Sequence, residues 1–349
     1  MRYCLKNIVF FDIIYNQIVS GENMKEHQLQ YENNFLSEFA MKSSGTKGRQ
    51  KEIEPCPYRT EYQRDRDRII HSKAFRSLKH KTQVFLRPLD DHYRTRLTHT
   101  LEVTQIARTI SRALLLNEDL TEAIGLGHDL GHTPFGHAGE RVLNALTGHF
   151  MHNEQSLRVV DILENNGEGL NLTFEVRDGI LNHKSSGNPC TLEGKVVSYA
   201  DRIAYINHDI DDAILAGVLS ERDLPEDCVE YLGKTKGERI NTLVKDIIEH
   251  SRGKNQISLS QDGDYYMNRL RDFMFERVYY SQTNETLQLK ADRMLKVLFN
   301  FYILHPDLVP HPSCVTDVTE FVCDYIASMS DTHAISSVKN ILIPDGIEL

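Results

Sequence analysis

What the 349-residue sequence lacks already narrows its function. The six cysteines are scattered and form no CxxC pair, which argues against both a disulfide framework and a thiolate zinc site and fits a reducing cytoplasm. A basic excess is also missing, because 40 basic side chains face 50 acidic ones and give a formal net charge of -10. We therefore expect no general nucleic-acid-coating surface, although this composition is compatible with a local basic patch.

A membrane-directed segment is not predicted either. The apolar run from Val9 to Ile14 is short, contains an acid and lacks a small-residue cleavage site, so it predicts neither a signal peptide nor a membrane span. Residues 1–57 are interpreted as a leader up to residue 23 and a polar stretch that ends in a linker over 41–57. The sequence predicts a cytoplasmic protein with no membrane partner.

The remainder of the chain has helical periodicity and no internal repeat. Apolar residues recur every three or four positions after Thr98, and a second helix is predicted from an Asp119 N-cap to about Gly131. A short strand is predicted at 256–260. Further helices are predicted at about 137–146, 153–164, 174–182, 192–216, 265–280 and 288–342, the last broken at prolines.

Sixteen histidines is a high number, and several of them lie between positions 92 and 152. His99 falls in the first turn of one predicted helix, His128 and Asp129 at the end of the next, and Asp201 midway along the helix 192–216. If the three helices pack side by side, two imidazoles and two carboxylates converge on one point. That mixed donor set suits a borderline or hard divalent ion.

The sequence after His128 places further polar side chains beside these four predicted ligands. The run from Gly127 to Glu140 reads GHDLGHTPFGHAGE and brings in His132 and His137. With the segments 58–65, 75–85, 96–99, 152–156 and 199–209, it resembles the HD-domain deoxynucleoside triphosphate triphosphohydrolases, the dGTPase-like proteins. The resemblance covers roughly residues 58–215. It implies an all-α HD-domain phosphohydrolase with a catalytic core over 58–248 and a mostly helical region over 249–349 that packs on the core.

The resemblance also implies a reaction and a set of site residues. The metal ligands are the four side chains that the spacing already indicated, His99, His128, Asp129 and Asp201. Water attacks the α-phosphorus and releases a deoxynucleoside and inorganic triphosphate. His137 and Glu140 match the catalytic pair, with the imidazole acting as either acid or base. Residues that match substrate contacts are Gln83, Arg96, His132, His152, Arg202, Tyr205 and Asp209.

Within that set, Tyr205 and Asp209 match a pair that recognises the deoxyribose, with the tyrosine ring crowding the 2′ carbon. The later aromatic residues 273–280 are interpreted as core packing, and His183 is given little weight as a phosphate contact. One divalent ion is predicted, manganese or magnesium first, with iron, nickel or zinc also compatible with this shell. The family suggests a homo-oligomer and an allosteric nucleotide between subunits.

Two other functions are weighed against this one. The first is a nucleotidase or phosphodiesterase on the same HD scaffold, which as a two-metal enzyme would need additional His or Asp ligands. The second is an oligomeric protein that binds a deoxynucleotide without turnover. The His137–Glu140 and Tyr205–Asp209 pairs favour the triphosphohydrolase, whereas nothing in the sequence indicates which base is preferred.

Overall fold

The computed structural model describes residues 24–83, 93–279 and 282–344, with side chains described from residue 286 in the last range. Within these ranges the chain forms α-helices joined by short 3-10 and π-helical turns and contains no strand, which confirms the all-α prediction. The α-helices are α1 (Met24–Phe35), α2 (Glu61–Ile70), α3 (Lys73–Ser77), α4 (Arg96–Ala113), α5 (Glu118–Gly127), α6 (His137–Thr147), α7 (His152–Arg158), α8 (Phe174–Leu181), α9 (Leu192–Leu215), α10 (Glu226–Leu232), α11 (Lys236–Ser251), α12 (Gln261–Met274), α13 (Gln282–Leu304), α14 (Val318–Ser328) and α15 (Asp331–Leu342).

The predicted cap of α5 was wrong by two residues. The side chain of Asn117, not that of Asp119, accepts the backbone N–H groups of Asp119 at 3.1 Å and Leu120 at 3.2 Å. An asparagine in extended conformation can satisfy these otherwise unpaired donors. The helix ends at Gly127 instead of Gly131, so the His128–Asp129 pair lies in the tight turn that follows it.

The short strand predicted at 256–260 was also wrong. This segment has no partner strand in the described part of the chain, and its backbone is held by local contacts, since the Ser258 N–H donates to the Ser251 hydroxyl at 3.1 Å. Ile257 and Leu259 are buried in the core. The helix predicted from residue 265 begins earlier, because the Ser260 hydroxyl caps α12. Its predicted end at Tyr280, like the leader 1–23, falls outside the described residues.

The stretch predicted as a linker is tied to the helical core. Arg49 forms ion pairs with Glu61, at 2.8 Å, and with the buried Asp65. The Lys47 N–H donates to Glu175 on α8 at 2.8 Å. Residues 41–57 therefore pack against α2 and α8, while the proposed division of the chain into domains stays a prediction.

Helices α4, α5 and α9 pack against one another at the centre of the molecule. Their apolar faces are fully buried, for example Ile106, Ile124 and Val197, and removing such side chains from water is the main force that holds the three helices together. A second apolar cluster joins α6 to α13, α14 and α15. Across the described ranges, none of the helices has both the length and the apolar character needed to cross a membrane.

Candidate active site

The four predicted metal ligands lie together where α4, α5 and α9 meet. His99 Nε2 is 3.1 Å from the nearer Asp201 oxygen, and that oxygen is 3.9 Å from His128 Nε2. His128 Nε2 is in turn 3.5 Å from an Asp129 oxygen. One donor atom from each of His99, His128 and Asp129 lies within 4.8 Å of the others. Separations of this size fit side chains that share one small cation.

His128 shows the local geometry of a metal ligand. Its Nδ1 lies 2.7 Å from the Gly125 carbonyl oxygen, so this nitrogen carries the proton and Nε2 carries the lone pair. Nε2 is buried and has no hydrogen-bond partner among the described residues. Leaving a buried polar atom unpaired costs about 1–3 kcal/mol. A cation bound by this nitrogen removes that cost, so the donor set fits a divalent ion.

Both carboxylates are kept ionised in spite of their burial. Burial alone raises the pKa of Asp129, but electrostatic interactions with His128, His132 and the charged Arg96 guanidinium hold it well below its usual value. Burial likewise opposes ionisation of Asp201, yet its hydrogen bond with His99 and its electrostatic interaction with His128 lower its pKa to about 2. Two negative charges are thus held at the centre, which favours binding of a divalent cation.

The turn after His128 brings a second histidine layer beside this centre. Gly131 lies so close to α7 that a Cβ there would be 2.1 Å from the Ser156 nitrogen, and its N–H donates to the Ser156 hydroxyl at 2.9 Å. This approach lets the His132 and His152 rings stack with centroids 4.0 Å apart. His132 Nε2 is also 3.3 Å from an Asp129 oxygen.

Arg96 and Gln83, both predicted substrate contacts, lie on the opposite side of Asp129. The Arg96 guanidinium is almost completely buried and donates to an Asp129 oxygen at 2.9 Å and to the Gln83 carbonyl at 3.4 Å. The Gln83 amide oxygen and Arg96 Nε are buried without hydrogen-bond partners among the described residues. Arg96 thus links the predicted ligand Asp129 to the backbone of Gln83.

The predicted catalytic pair occupies the first turn of α6. His137 Nδ1 is 3.1 Å from Glu140, whose carboxylate also contacts His152 Nδ1 at 3.0 Å. Burial raises the pKa of Glu140, but the hydrogen bonds from His137 and His152 lower it well below its usual value. The His137 side chain remains 67% exposed. It is thus the imidazole of this site with open access to solvent.

The predicted sugar-recognition residues lie along α9, beyond Asp201. Asp209 accepts a short hydrogen bond from the Tyr279 hydroxyl, and its second oxygen is buried and unpaired among the described residues. Burial raises the pKa of Asp209 to about 8 and that of Tyr205 to about 12. Arg202, which follows Asp201 on α9, donates to Asn268 at 2.9 Å and keeps its Nε buried and unpaired among the described residues.

Sequence reasoning missed or undervalued several residues of the site. His183 is fully buried, with its Nε2 3.3 Å from His152 Nε2, and Tyr279 contacts Asp209 although its region was interpreted as core. Lys81 and Asp331 bind the backbone of the turn between α5 and α6. Lys81 donates to the His132 carbonyl, and Asp331 accepts the Phe135 N–H at 2.9 Å. The only local signal for His183 was its position directly after a predicted helix.

Two protein families match parts of this chain. The HD domain family matches residues 96–206, and the phosphohydrolase-associated domain family matches residues 257–340. The deoxyguanosinetriphosphate triphosphohydrolase-like protein of Caldanaerobacter subterraneus subsp. tengcongensis is 55% identical over 91% of this chain and 94% of its own length. The protein of the same description from Desulfatibacillum aliphaticivorans is 48% identical over 92% and 98%.

One solved structure, a hypothetical protein from Aquifex aeolicus, superposes with a TM-score of 0.50 at 23% identity, over 78% of this chain and 67% of that chain. This likeness concerns the fold alone. The helical architecture, the His/Asp cluster and the HD domain match define a metal-dependent phosphohydrolase. The chain belongs to the deoxyguanosinetriphosphate triphosphohydrolase-like proteins, as the extent and identity of the relatives show.

Proposed function

We propose that the protein hydrolyses deoxynucleoside triphosphates to a deoxynucleoside and inorganic triphosphate. His99, His128, Asp129 and Asp201 would hold one divalent ion, manganese or magnesium in the first place. When bound, the ion supplies Lewis-acid polarisation of a phosphoryl oxygen. The observation that carries the proposal is the exposed His137, paired with ionised Glu140, beside this buried set of His and Asp donors.

The proposed reaction needs one proton transfer at His137. The oxygen of water bonds to the α-phosphorus, the bond from that phosphorus to the 5′ oxygen breaks, and the 5′ oxygen ends with a proton. Glu140 holds the Nδ1 side of the His137 ring at 3.1 Å, which leaves Nε2 to take a proton from water or give one to the 5′ oxygen. The Glu140 charge stabilises the imidazolium form in either case.

Substrate recognition is proposed for the residues around this pair. Arg96, His132 and His152 would bind phosphate oxygens, with Gln83 and Arg202 as further contacts. Asp209 would bind the 3′-hydroxyl through its unpaired oxygen, since Tyr279 already engages the other one. Tyr205, one turn before Asp209 on α9, would crowd the 2′ carbon and so exclude ribonucleotides.

The test is a product-resolved assay of the purified protein with Mn²⁺ or Mg²⁺. Each of the four deoxynucleoside triphosphates is incubated in turn, with the four ribonucleotides as controls, and products are separated by ion-exchange chromatography. We expect deoxynucleoside and intact triphosphate from at least one deoxynucleotide and little turnover of ribonucleotides. Pyrophosphate or monophosphate as the first product would refute the assignment and favour a different phosphohydrolase.

We further propose that the enzyme is cytoplasmic and acts as a homo-oligomer, as the family relationship suggests. Light scattering after size-exclusion chromatography measures the assembly directly, and a single-chain mass of 40.2 kDa would contradict it. A nucleotide bound between subunits would reveal itself as a rate increase when a second, non-hydrolysed nucleotide is added. A rate independent of added nucleotide would argue against that form of regulation.

A further inference from the structure

The proposed active site is built on two separate apolar clusters. The helices that carry or precede the proposed metal ligands, α4, α5 and α9, belong to one cluster. The start of α6, which carries His137 and Glu140, belongs to the other, because Phe135, Ala138 and Val142 lie in the cluster formed with α13, α14 and α15. Packing within either cluster does not by itself fix the one half of the site relative to the other. That register depends on contacts between the two clusters.

Lys81 connects backbone groups on the two sides of this boundary. The side chain of Lys81 is 1% exposed, and its Nζ donates to the carbonyl oxygen of His132 and, at 2.7 Å, to that of Ala327. His132 lies in the region matched by the HD domain, whereas Ala327 lies on α14 in the second cluster and in the region matched by the phosphohydrolase-associated domain. Lys81 itself lies outside both matched regions. One buried nitrogen thus joins the turn of the active site to a C-terminal helix.

These two hydrogen bonds distinguish Lys81 from an apolar residue of similar size. Lysine is rarely buried completely unless it is paired with an acid, and no carboxylate among the described residues forms an ion pair with Lys81. Burial lowers the pKa of Lys81 to about 7, although the charge of Asp331 opposes this shift. A neutral amine still has two N–H groups, so Lys81 can bind both carbonyls with or without its charge. An apolar side chain would avoid the cost of burial but would leave both carbonyls without this donor.

His132 depends on such a contact because the turn that carries it is not part of a regular helix. Its ring stacks on His152 with centroids 4.0 Å apart, and its Nε2 is 3.3 Å from an Asp129 oxygen. A shift of about 1 Å in a group that positions substrate can cost about 10²-fold in rate. We propose that Lys81 is a positioning residue, which holds His132 in place for phosphate binding by tying its carbonyl to α14. This inference rests on the proposed function, in which His132 binds a phosphate oxygen.

The contact predicts a specific kinetic signature. His132 is proposed to bind substrate and not to transfer a proton, so its displacement weakens a contact that is made in both the ground state and the transition state. Loss of a contact of this kind raises KM and leaves kcat nearly unchanged. Removal of the Lys81 nitrogen should therefore raise KM by a larger factor than it lowers kcat.

The experiment compares Lys81→Met with the unchanged full-length protein. Methionine has nearly the length of lysine and is apolar, so it fills the same space without the two N–H donors. Steady-state kinetics with Mn²⁺ and a deoxynucleoside triphosphate that the unchanged protein hydrolyses should show KM raised about tenfold to a hundredfold, a smaller change in kcat and normal metal content. Lys79→Met is the matched control, because Lys79 is exposed and lies on the 3-10 turn Leu78–His80 directly before Lys81. It should leave KM and kcat unchanged.

A second variant tests the nitrogen itself. Lys81→Ala removes three carbons and the amine, which together correspond to n-propylamine. Added n-propylamine should lower the KM of Lys81→Ala toward that of the unchanged protein, whereas propan-1-ol, which has a similar size but a single donor, should lower it less. Equal effects of the two compounds would contradict a role for the two N–H donors.

The outcomes separate this inference from the proposed function. Turnover by the unchanged protein together with an unchanged KM in Lys81→Met would overturn the inference alone. Loss of metal in Lys81→Met, or a fall in kcat at normal KM, would also overturn it, because Lys81 would then support a different part of the site. No turnover by the unchanged protein would contradict the proposed function itself. If circular dichroism shows that Lys81→Met does not fold, hydrogen exchange of residues 131–135 in the unchanged protein decides: protection similar to that of α5 supports the inference, and rapid exchange overturns it.

Discussion

The histidines of the site fall into two groups that differ in their access to water. His132, His152 and His183 are buried, and burial lowers their pKa values, that of His183 to about 3. Burial thus favours the neutral form of these rings. His137 is 67% exposed and contacts only the edge of this group. The difference separates histidines that can hold an ion or a phosphate from one that can exchange protons during turnover.

The largest effect is expected from removal of the buried carboxylate of Asp201, a proposed metal ligand. Asp201→Ala takes away the oxygen that faces both His99 and His128. We expect loss of bound metal and a fall in turnover beyond the roughly 10⁴-fold upper range for loss of a proton-transfer group. Metal content by mass spectrometry and steady-state turnover are measured on the same sample. A variant that keeps its metal would exclude Asp201 as a ligand.

The second prediction concerns the exposed histidine. His137→Ala removes a proton-transfer group but no proposed ligand, so kcat should fall by about 10²–10⁴-fold while metal content stays unchanged. The measurement again pairs turnover with metal content. Loss of metal in this variant would show that the two groups of histidines are not functionally separate.

The chain provides a close control for that experiment. His149 is 69% exposed and its Nε2 lies 2.6 Å from Glu154, so it is an exposed histidine paired with a glutamate, as His137 is with Glu140. His149 lies outside the metal-competent clusters. His149→Ala should therefore retain full turnover, and a comparable loss of activity would indicate a general effect of removing exposed histidines.

A third prediction tests whether the position of His137 depends on the C-terminal helices. Asp331, the first residue of α15, accepts the Phe135 N–H at 2.9 Å and the Thr82 N–H at 3.0 Å. Phe135 has φ of 62°, a conformation that side-chain-bearing residues rarely adopt without support. In Asp331→Ala the turn before His137 should shift, and kcat should fall about tenfold to a hundredfold.

Two readouts separate this positioning effect from general instability. Metal content of Asp331→Ala should stay normal, and KM should change less than kcat because the buried centre is left intact. Asp331→Asn retains one carbonyl acceptor and should recover part of the loss. Equal activity of the alanine variant and the unchanged protein would contradict the role of Asp331.

The last prediction concerns stability instead of turnover. Burial raises the pKa of Asp209 to about 8, so between about pH 4 and pH 8 the folded state holds a proton that the unfolded chain releases. Protonated Asp209 therefore makes its full contribution to stability below about pH 4. This contribution falls by up to about 1.4 kcal/mol per pH unit as pH rises, and it is lost once pH has passed about 8. Asp209→Asn removes this slope, and urea unfolding of both proteins from pH 5 to pH 9 measures it. Parallel pH profiles would contradict a raised pKa.

The sequence predicted the site residues whose positions follow from helical periodicity. His99, His128 and Asp201 were assigned to three predicted helices that would bring them together if packed side by side, and the structure places their side chains in contact. The cap of α5 was misassigned because Asn117 and Asp119 are both good capping residues. Spacing alone cannot choose between them.

Contacts between distant segments were not predictable in this way. His183 follows α8 by two residues, and only the packing of α7 against α8 places it opposite His152. Asp331 reaches the site across 196 residues of sequence to Phe135. Tyr279 was assigned to the core because an aromatic residue at helical spacing usually packs there. Such residues acquire their roles from tertiary structure, which periodicity does not encode.

The proposed chemistry is tested most directly by hydrolysis in water enriched in ¹⁸O. A deoxynucleoside triphosphate is turned over once in the labelled solvent, and mass spectrometry locates the label in the products. Attack on the α-phosphorus predicts ¹⁸O in the released triphosphate and none in the 5′-hydroxyl of the deoxynucleoside. Label in the deoxynucleoside, or in a monophosphate product, would contradict the account.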